Sequence, residues 1–149
     1  MYYLQSEASF DAAHFLSDYV GKCRNIHGHR WRVTATVEGP SLQPSGSQKG
    51  MLMDFGDLKG DLKTLVDRFD HSLILEEGSL KEATLKALME EEFHLELVPF
   101  RTTAENFSRY FYEALTEKGY SVREIRVYET PTNCACYDGE KEAITIGQL

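Results

Sequence analysis

His27-Gly28-His29-Arg30-Trp31-Arg32-Val33-Thr34-Ala35-Thr36-Val37 alternates: Trp31, Val33, Ala35 and Val37 are apolar at odd positions, and His27 and His29 share their parity. On an extended backbone successive side chains point to opposite faces, so both imidazoles stand on the apolar face of one strand. Upstream, residues 2–14 run the same way in the even register, with Leu4, Ala8, Phe10 and Ala12 apolar and His14 in phase with them. Two half-buried strands joined by residues 15–26 can pair antiparallel, which brings three imidazoles to one end of a shared buried face. Cys23 stands four positions before His27. Neutral imidazole is the commonest side-chain metal ligand, and three protein ligands leave a fourth zinc position open for chemistry. A lone histidine on such a face is ordinarily a core or surface residue. Three in phase beside a cysteine read as a metal site, with His14, His27 and His29 as the candidate zinc ligands.

Past these strands, residues 39–50 are rich in Gly, Pro and Ser and read as a loop, and residues 51–55 as a short strand. A helix is expected from Asp57, with Leu58, Leu62, Leu65, Val66 and Phe69 on one stripe. A second is expected over residues 79–92, where Ser79 and Glu82 have capping-box spacing. A third follows Thr102, with the stripe Phe107, Tyr110, Phe111, Ala114 and Leu115 and a stop at Gly119. Strands are expected at 121–129, 134–137 and 143–146. The order strands, helices, strands, without repeating strand–helix–strand units, predicts an α+β fold: an antiparallel sheet of about four strands with helices on one face.

At 149 residues the chain is expected to form one domain spanning 1–149. A net charge of −8 argues against a broad nucleic-acid or anionic-membrane surface. The sequence has no apolar run of transmembrane length and no basic-then-apolar leader, so a cytoplasmic setting is expected. Three cysteines form no disulfide framework, and Cys134 and Cys136 read as small buried hydrophobes. Two further features bear on chemistry. Asp70-His71 sets a carboxylate beside an imidazole, an arrangement suited to proton transfer, although the same dipeptide also occurs as a plain surface turn. Glu129 ends an apolar-parity run; a carboxylate turned inward needs donors, from an N–C–N edge of a ligand or from an arginine.

Seven segments in order, FDAAH, KCRNIHGH, MDFGDLK, FDHSLIL, RTTAENFSRYFYEAL, VYET and YDGE, give a resemblance that spans nearly the whole chain. The chain resembles the 6-pyruvoyltetrahydropterin synthase family, and within it the bacterial 6-carboxytetrahydropterin synthases, whose short spacing between the cysteine and HGH it shares. The resemblance implies a tunnelling fold, a homohexamer with sites between subunits, and zinc on His14, His27 and His29. It implies Cys23 as the catalytic cysteine, Asp70 and His71 as the completing proton relay, and Glu129 and Thr103 as pterin-binding residues. It implies 7,8-dihydroneopterin triphosphate as substrate and a lyase reaction in queuosine-type deazapurine synthesis. Residues 76–100 are longer than is usual at that place and have no assigned role. Three alternatives stay open: 6-pyruvoyl product formation, a pterin- or purine-binding protein without lyase activity, and a structural zinc closed by Cys23 as fourth ligand.

Overall fold

The computed structural model describes residues 1–140, and it builds them around one six-stranded sheet. β1 (Tyr2–His14) and β2 (His27–Gly39) form a full-length antiparallel ribbon in the register the alternation requires, with Phe10 opposite Trp31 and His14 opposite His27. β5 (Val122–Thr130) extends the sheet beyond β2 and β6 (Asn133–Tyr137) beyond β5, both antiparallel. The expected strand at 143–146 lies outside the described residues.

On the other side of β1 the sheet departs from expectation. β3 (Ser72–Glu76) pairs parallel with β1 at Ala12 and Ala13, and β4 (Leu95–Val98) pairs parallel with β3. The α+β class holds, but the sheet is mixed. SLILE and LELV are short apolar runs, and such runs carry no period that tells a strand from a helix. Between them lies α2 (Glu82–Glu90), so residues 72–98 form one strand–helix–strand unit, where the sequence pattern predicts a helix alone.

α1 (Phe55–Asp67) starts two residues before Asp57, because the Asp54 carboxylate accepts the Gly56 N–H at 2.7 Å and caps the helix there. Residues 51–54 are consequently a lead-in to the helix rather than a strand. α2 is shorter than expected: Gly78 (φ +77°) turns the chain after β3, and Lys81 rather than Ser79 occupies the cap position. α3 (Ala104–Glu117) is capped by Thr103, whose hydroxyl accepts the Asn106 N–H at 3.3 Å.

α1 and α3 pack on the Phe10–Trp31 face. Leu58, Leu62 and Val66 from α1 and Phe107, Phe111 and Leu115 from α3 are fully buried with Phe10, Trp31, Val33, Ile125 and Val127. Truncating one such aromatic costs about 3–5 kcal/mol in a close-packed core. The opposite face is polar, with Arg32 stacked 3.8 Å above the Tyr128 ring and paired with Glu7 at 3.2 Å. Cys134 and Cys136 lie on β6 and are exposed, not buried as expected. Their register partners Tyr128 and Arg126 alternate with the core residues Val127 and Ile125, so both cysteines fall on the polar face.

Candidate metal centre

The hairpin register places the three histidines together. His14 faces His27 across the ribbon and His29 lies two residues along β2. Ring centroids are 4.7 Å apart for His14–His27, 4.8 Å for His27–His29 and 5.2 Å for His14–His29. Trp31 forms the floor, 4.9 Å from the His14 ring and 5.3 Å from His29.

Second partners fix two of the rings. His14 Nδ1 donates to the Thr102 carbonyl oxygen at 2.8 Å, and His27 Nδ1 donates to the Asn25 carbonyl at 2.7 Å. A carbonyl only accepts, so the proton sits on Nδ1 and the Nε2 lone pair is free. Among the described residues the Nε2 atoms of all three histidines are buried and have no hydrogen-bond partner. The cluster's ligand atoms all lie within 4.8 Å of one another. Burial, then the neighbouring His27, lower the His14 pKa to about 4; burial and His27 lower that of His29 too. Neutral rings with converging lone pairs are the form that binds a metal cation, and three buried unpaired acceptors are otherwise costly. The donor set therefore fits a metal ion.

Glu129, near the end of β5, places Oε1 3.8 Å from His14 Nε2, beyond hydrogen-bond range. Burial, and next the Glu105 carboxylate, push its own carboxyl pKa upward, while His27 acts the other way. Thr103 is nearby in sequence to His14's partner Thr102, but its hydroxyl is occupied as the α3 cap.

The remaining candidates lie outside this set of converging ligand atoms. Cys23 sits on a short 3-10 turn, Lys22–Arg24, half-buried and outside the set of converging ligand atoms. Asp70 and His71 follow α1 and dock on the edge of β1. Asp70 Oδ1 accepts the Asp11 N–H at 2.9 Å, and the His71 N–H donates to the Asp11 carbonyl at 2.7 Å. His71 Nδ1 lies 2.9 Å from Asp70 Oδ2. The Asp11 backbone bond and then His71 lower the Asp70 pKa, and Asp70 raises that of His71. His71 has a left-handed backbone (φ +54°) and is 81% exposed.

From the sequence, Thr102 is expected only as the residue that a helix follows. In the structure Thr102 is 1% exposed, and besides receiving the His14 bond it donates its hydroxyl to the Phe15 carbonyl at 3.2 Å. Only its adjacency to the Thr103 cap could have signalled this. Trp31 as floor was legible only as a core residue.

An α+β sheet carrying three inward histidines at the open end of its central ribbon defines a tunnelling-fold protein with a candidate catalytic metal centre. The chain belongs to the 6-pyruvoyl tetrahydropterin synthase family, whose profile matches residues 3–140. It is 36% identical over 140 residues to the 6-carboxy-5,6,7,8-tetrahydropterin synthase of Haemophilus influenzae, covering 92% of this chain and 99% of that one. The enzyme of the same name from Aquifex aeolicus is 33% identical over 131 residues, covering 81% and 78%. Among solved structures, an uncharacterized protein of Wolinella succinogenes superposes with a TM-score of 0.75 at 21% identity, covering 93% and 98%. The 6-pyruvoyl tetrahydropterin synthase of Caenorhabditis elegans superposes with a TM-score of 0.67 at 24% identity, covering 93% and 96%. At these identities the superpositions speak for the fold.

Proposed function

We propose that this chain is a zinc-dependent 6-carboxy-5,6,7,8-tetrahydropterin synthase, a lyase in queuosine-type deazapurine synthesis. It would convert 7,8-dihydroneopterin triphosphate and water to 6-carboxytetrahydropterin, acetaldehyde and triphosphate. The observation that carries this reading is the set of three buried, unpaired Nε2 atoms on His14, His27 and His29. The names of the relatives supply the product, a 6-carboxytetrahydropterin.

Zinc held by the three histidines would supply Lewis acidity toward the side-chain oxygens of the pterin. Cys23 as thiolate takes protons between side chain and ring, and the Asp70–His71 pair is the second acid–base group. Asp70 suits this work, since it holds the His71 ring by Nδ1 and favours its protonated form. Glu129 receives the N–C–N edge of the pterin, and Thr103 is assigned as a second pterin-binding residue. Among the described residues the one ion-pair contact of Glu129 is His14 Nε2 at 3.8 Å, which leaves the carboxylate available for two donors from a ligand. Cys23 outside the ligand set favours a three-ligand open site over a structural zinc closed by four. With His71 81% exposed in one chain, the reading includes a homohexamer whose sites draw on more than one subunit. The free thiols fit a cytoplasmic setting. Among the described residues no helix is long and apolar enough to cross a membrane.

Mass spectrometry of the reaction on 7,8-dihydroneopterin triphosphate tests the proposal. Acetaldehyde and a 6-carboxy product are expected. A 6-pyruvoyl product would assign the other branch of the family, and bound but unchanged pterin would make the chain a binding protein.

A further inference from the structure

Ser17 is gripped from two sides. Its hydroxyl donates to Glu76 Oε2 at 3.0 Å, and its carbonyl accepts from Arg101 Nη2 at 2.7 Å. Glu76 closes β3 and Arg101 follows β4, so the two grips come from the two ends of the segment that had no assigned role. Parallel pairing of β3 with β4 holds those ends together: Glu76 is in register with Val98, and the Glu77 N–H donates to the Val98 carbonyl at 2.9 Å. Arg101 is itself anchored at the start of α3, where its carbonyl accepts from the Thr103 N–H at 2.8 Å and from Asn106 Nδ2 at 2.9 Å.

Ser17 lies one residue from Leu16, whose N–H donates to the Cys23 carbonyl at 2.8 Å. The path from the clamp to the cysteine is thus Glu76 and Arg101, Ser17, Leu16, Cys23. Packing does little to hold this loop. Val20 is 98% exposed, and a cavity lined by Ser17, Tyr19, Arg24, Glu76 and Ser79 separates part of the loop from the turn after β3. Hydrogen bonds to charged partners are the stronger kind, and here they tie the stem of the loop next to the Thr102 hydroxyl–Phe15 carbonyl bond, while the bonds farther out, Arg24 to Gly21 and Asn25 to Lys22, are local.

We propose that Glu76 and Arg101 are positioning residues that set, through Ser17 and Leu16, where the Cys23 thiol stands relative to the three-histidine centre. The strand–helix–strand segment between them is the frame that keeps the pair in register. This rests on the acid–base role given to Cys23 above.

The test is peptide-resolved alkylation with iodoacetamide on the zinc-loaded protein, run beside steady-state turnover of the pterin triphosphate. In Arg101→Met and in the milder Ser17→Ala, the rate and pH profile of Cys23 alkylation should change, while the exposed Cys134 and Cys136 keep theirs. Turnover (kcat) should fall by about 10- to 100-fold, the scale of a small misplacement of a reacting group, with KM and zinc content nearly unchanged. Arg101→Lys should recover part of kcat, and Glu76→Ala should add little to Ser17→Ala because the two remove one bond. A lowered melting temperature with unaltered Cys23 alkylation and kcat would overturn the proposal, as would loss of zinc in step with activity. Should the wild-type chain turn over no pterin triphosphate, the proposed activity fails, and the alkylation profile still decides the clamp.

Discussion

His14 Nδ1 lies 2.8 Å from the Thr102 carbonyl oxygen, a bond that joins the end of β1 to the residue just before the α3 cap. It sets the tautomer of the most buried histidine and aims its Nε2 at the other two rings. Zinc is expected at about one ion per chain with nitrogen–metal distances of roughly 2.0–2.1 Å. Substituting His14, His27 or His29 by Ala should abolish stoichiometric zinc, measured by plasma mass spectrometry. A variant keeping a full equivalent of zinc would remove that residue from the ligand set.

The metal-free protein should lose stability in mild acid. Burial lowers the His14 pKa from 6.5 to about 4 and lowers that of His29 as well. The unfolded chain takes up protons near its ordinary value, so below about pH 6.5 it binds more protons than the folded one. Stability is complete above that pH and falls as pH drops toward 4, by up to about 1.4 kcal/mol per pH unit for each such group. Urea midpoints in chelator should decline from pH 7 to pH 4.5. Midpoints that stay flat across this range would show that these rings are not held neutral.

Cys23→Ala should keep the fold and most of the zinc while turnover falls by at least about 100-fold, the scale of removing an acid–base group. The motivation is its place on a turn beside, but outside, the converging ligand atoms. Normal turnover by this variant would refute the base assignment. Loss of zinc would point instead to a fourth ligand.

Much of this site was legible because a β-ribbon converts sequence parity directly into facing. Leu4, Phe10 and Trp31 announce the buried face, and His14, His27 and His29 can only share it. The α1 and α3 stripes were legible for the equivalent reason at period 3.6. What parity could not carry was pairing across long separations. β3 and β4 are too short to show a period, and β3 joins β1 through two residue pairs only. The burial of Thr102 depends on that same long-range docking, and so does the placement of Asp70 beside Asp11. Cys134 and Cys136 misled because a free thiol reads as apolar, whereas the side of the sheet they occupy is set by their β5 partners.

Glu129→Gln should weaken pterin binding more than it disturbs folding. The carboxylate is partly buried, and burial and Glu105 raise its pKa; a ligand supplying two donors offsets this by favouring the ionised form in a charge-assisted pair. An increase in the dissociation constant of about tenfold or more is expected, with a melting temperature close to that of the parent, since hydrogen bonds to a charged group are worth about 1.5–3 kcal/mol. Isothermal titration with a dihydropterin checks this. A bound pterin whose N–C–N edge rests on another residue would end the assignment.

Assembly is the remaining expectation, and the edge of β1 argues for it. Among the described residues β3 pairs with β1 only at Ala12 and Ala13, so residues 2–11 of β1 have β2 as their single strand partner. A long open edge is a template for another strand, and natural sheets pair or cover such edges. Tyr2 and Tyr3 beside that edge are 49% and 57% exposed, a further reason for burial against a neighbour. The chemistry points the same way, because His71, assigned above to proton transfer, is 81% exposed in one chain. The expected state is a symmetric hexamer of two stacked trimers, each site lined by more than one subunit. Light scattering should give about six times the 17.0 kDa chain mass. Mixing inactive His29→Ala and His71→Ala chains under exchange conditions should restore measurable turnover, since some mixed sites then carry both intact groups. A stable, active species of 17.0 kDa would refute the shared-site arrangement.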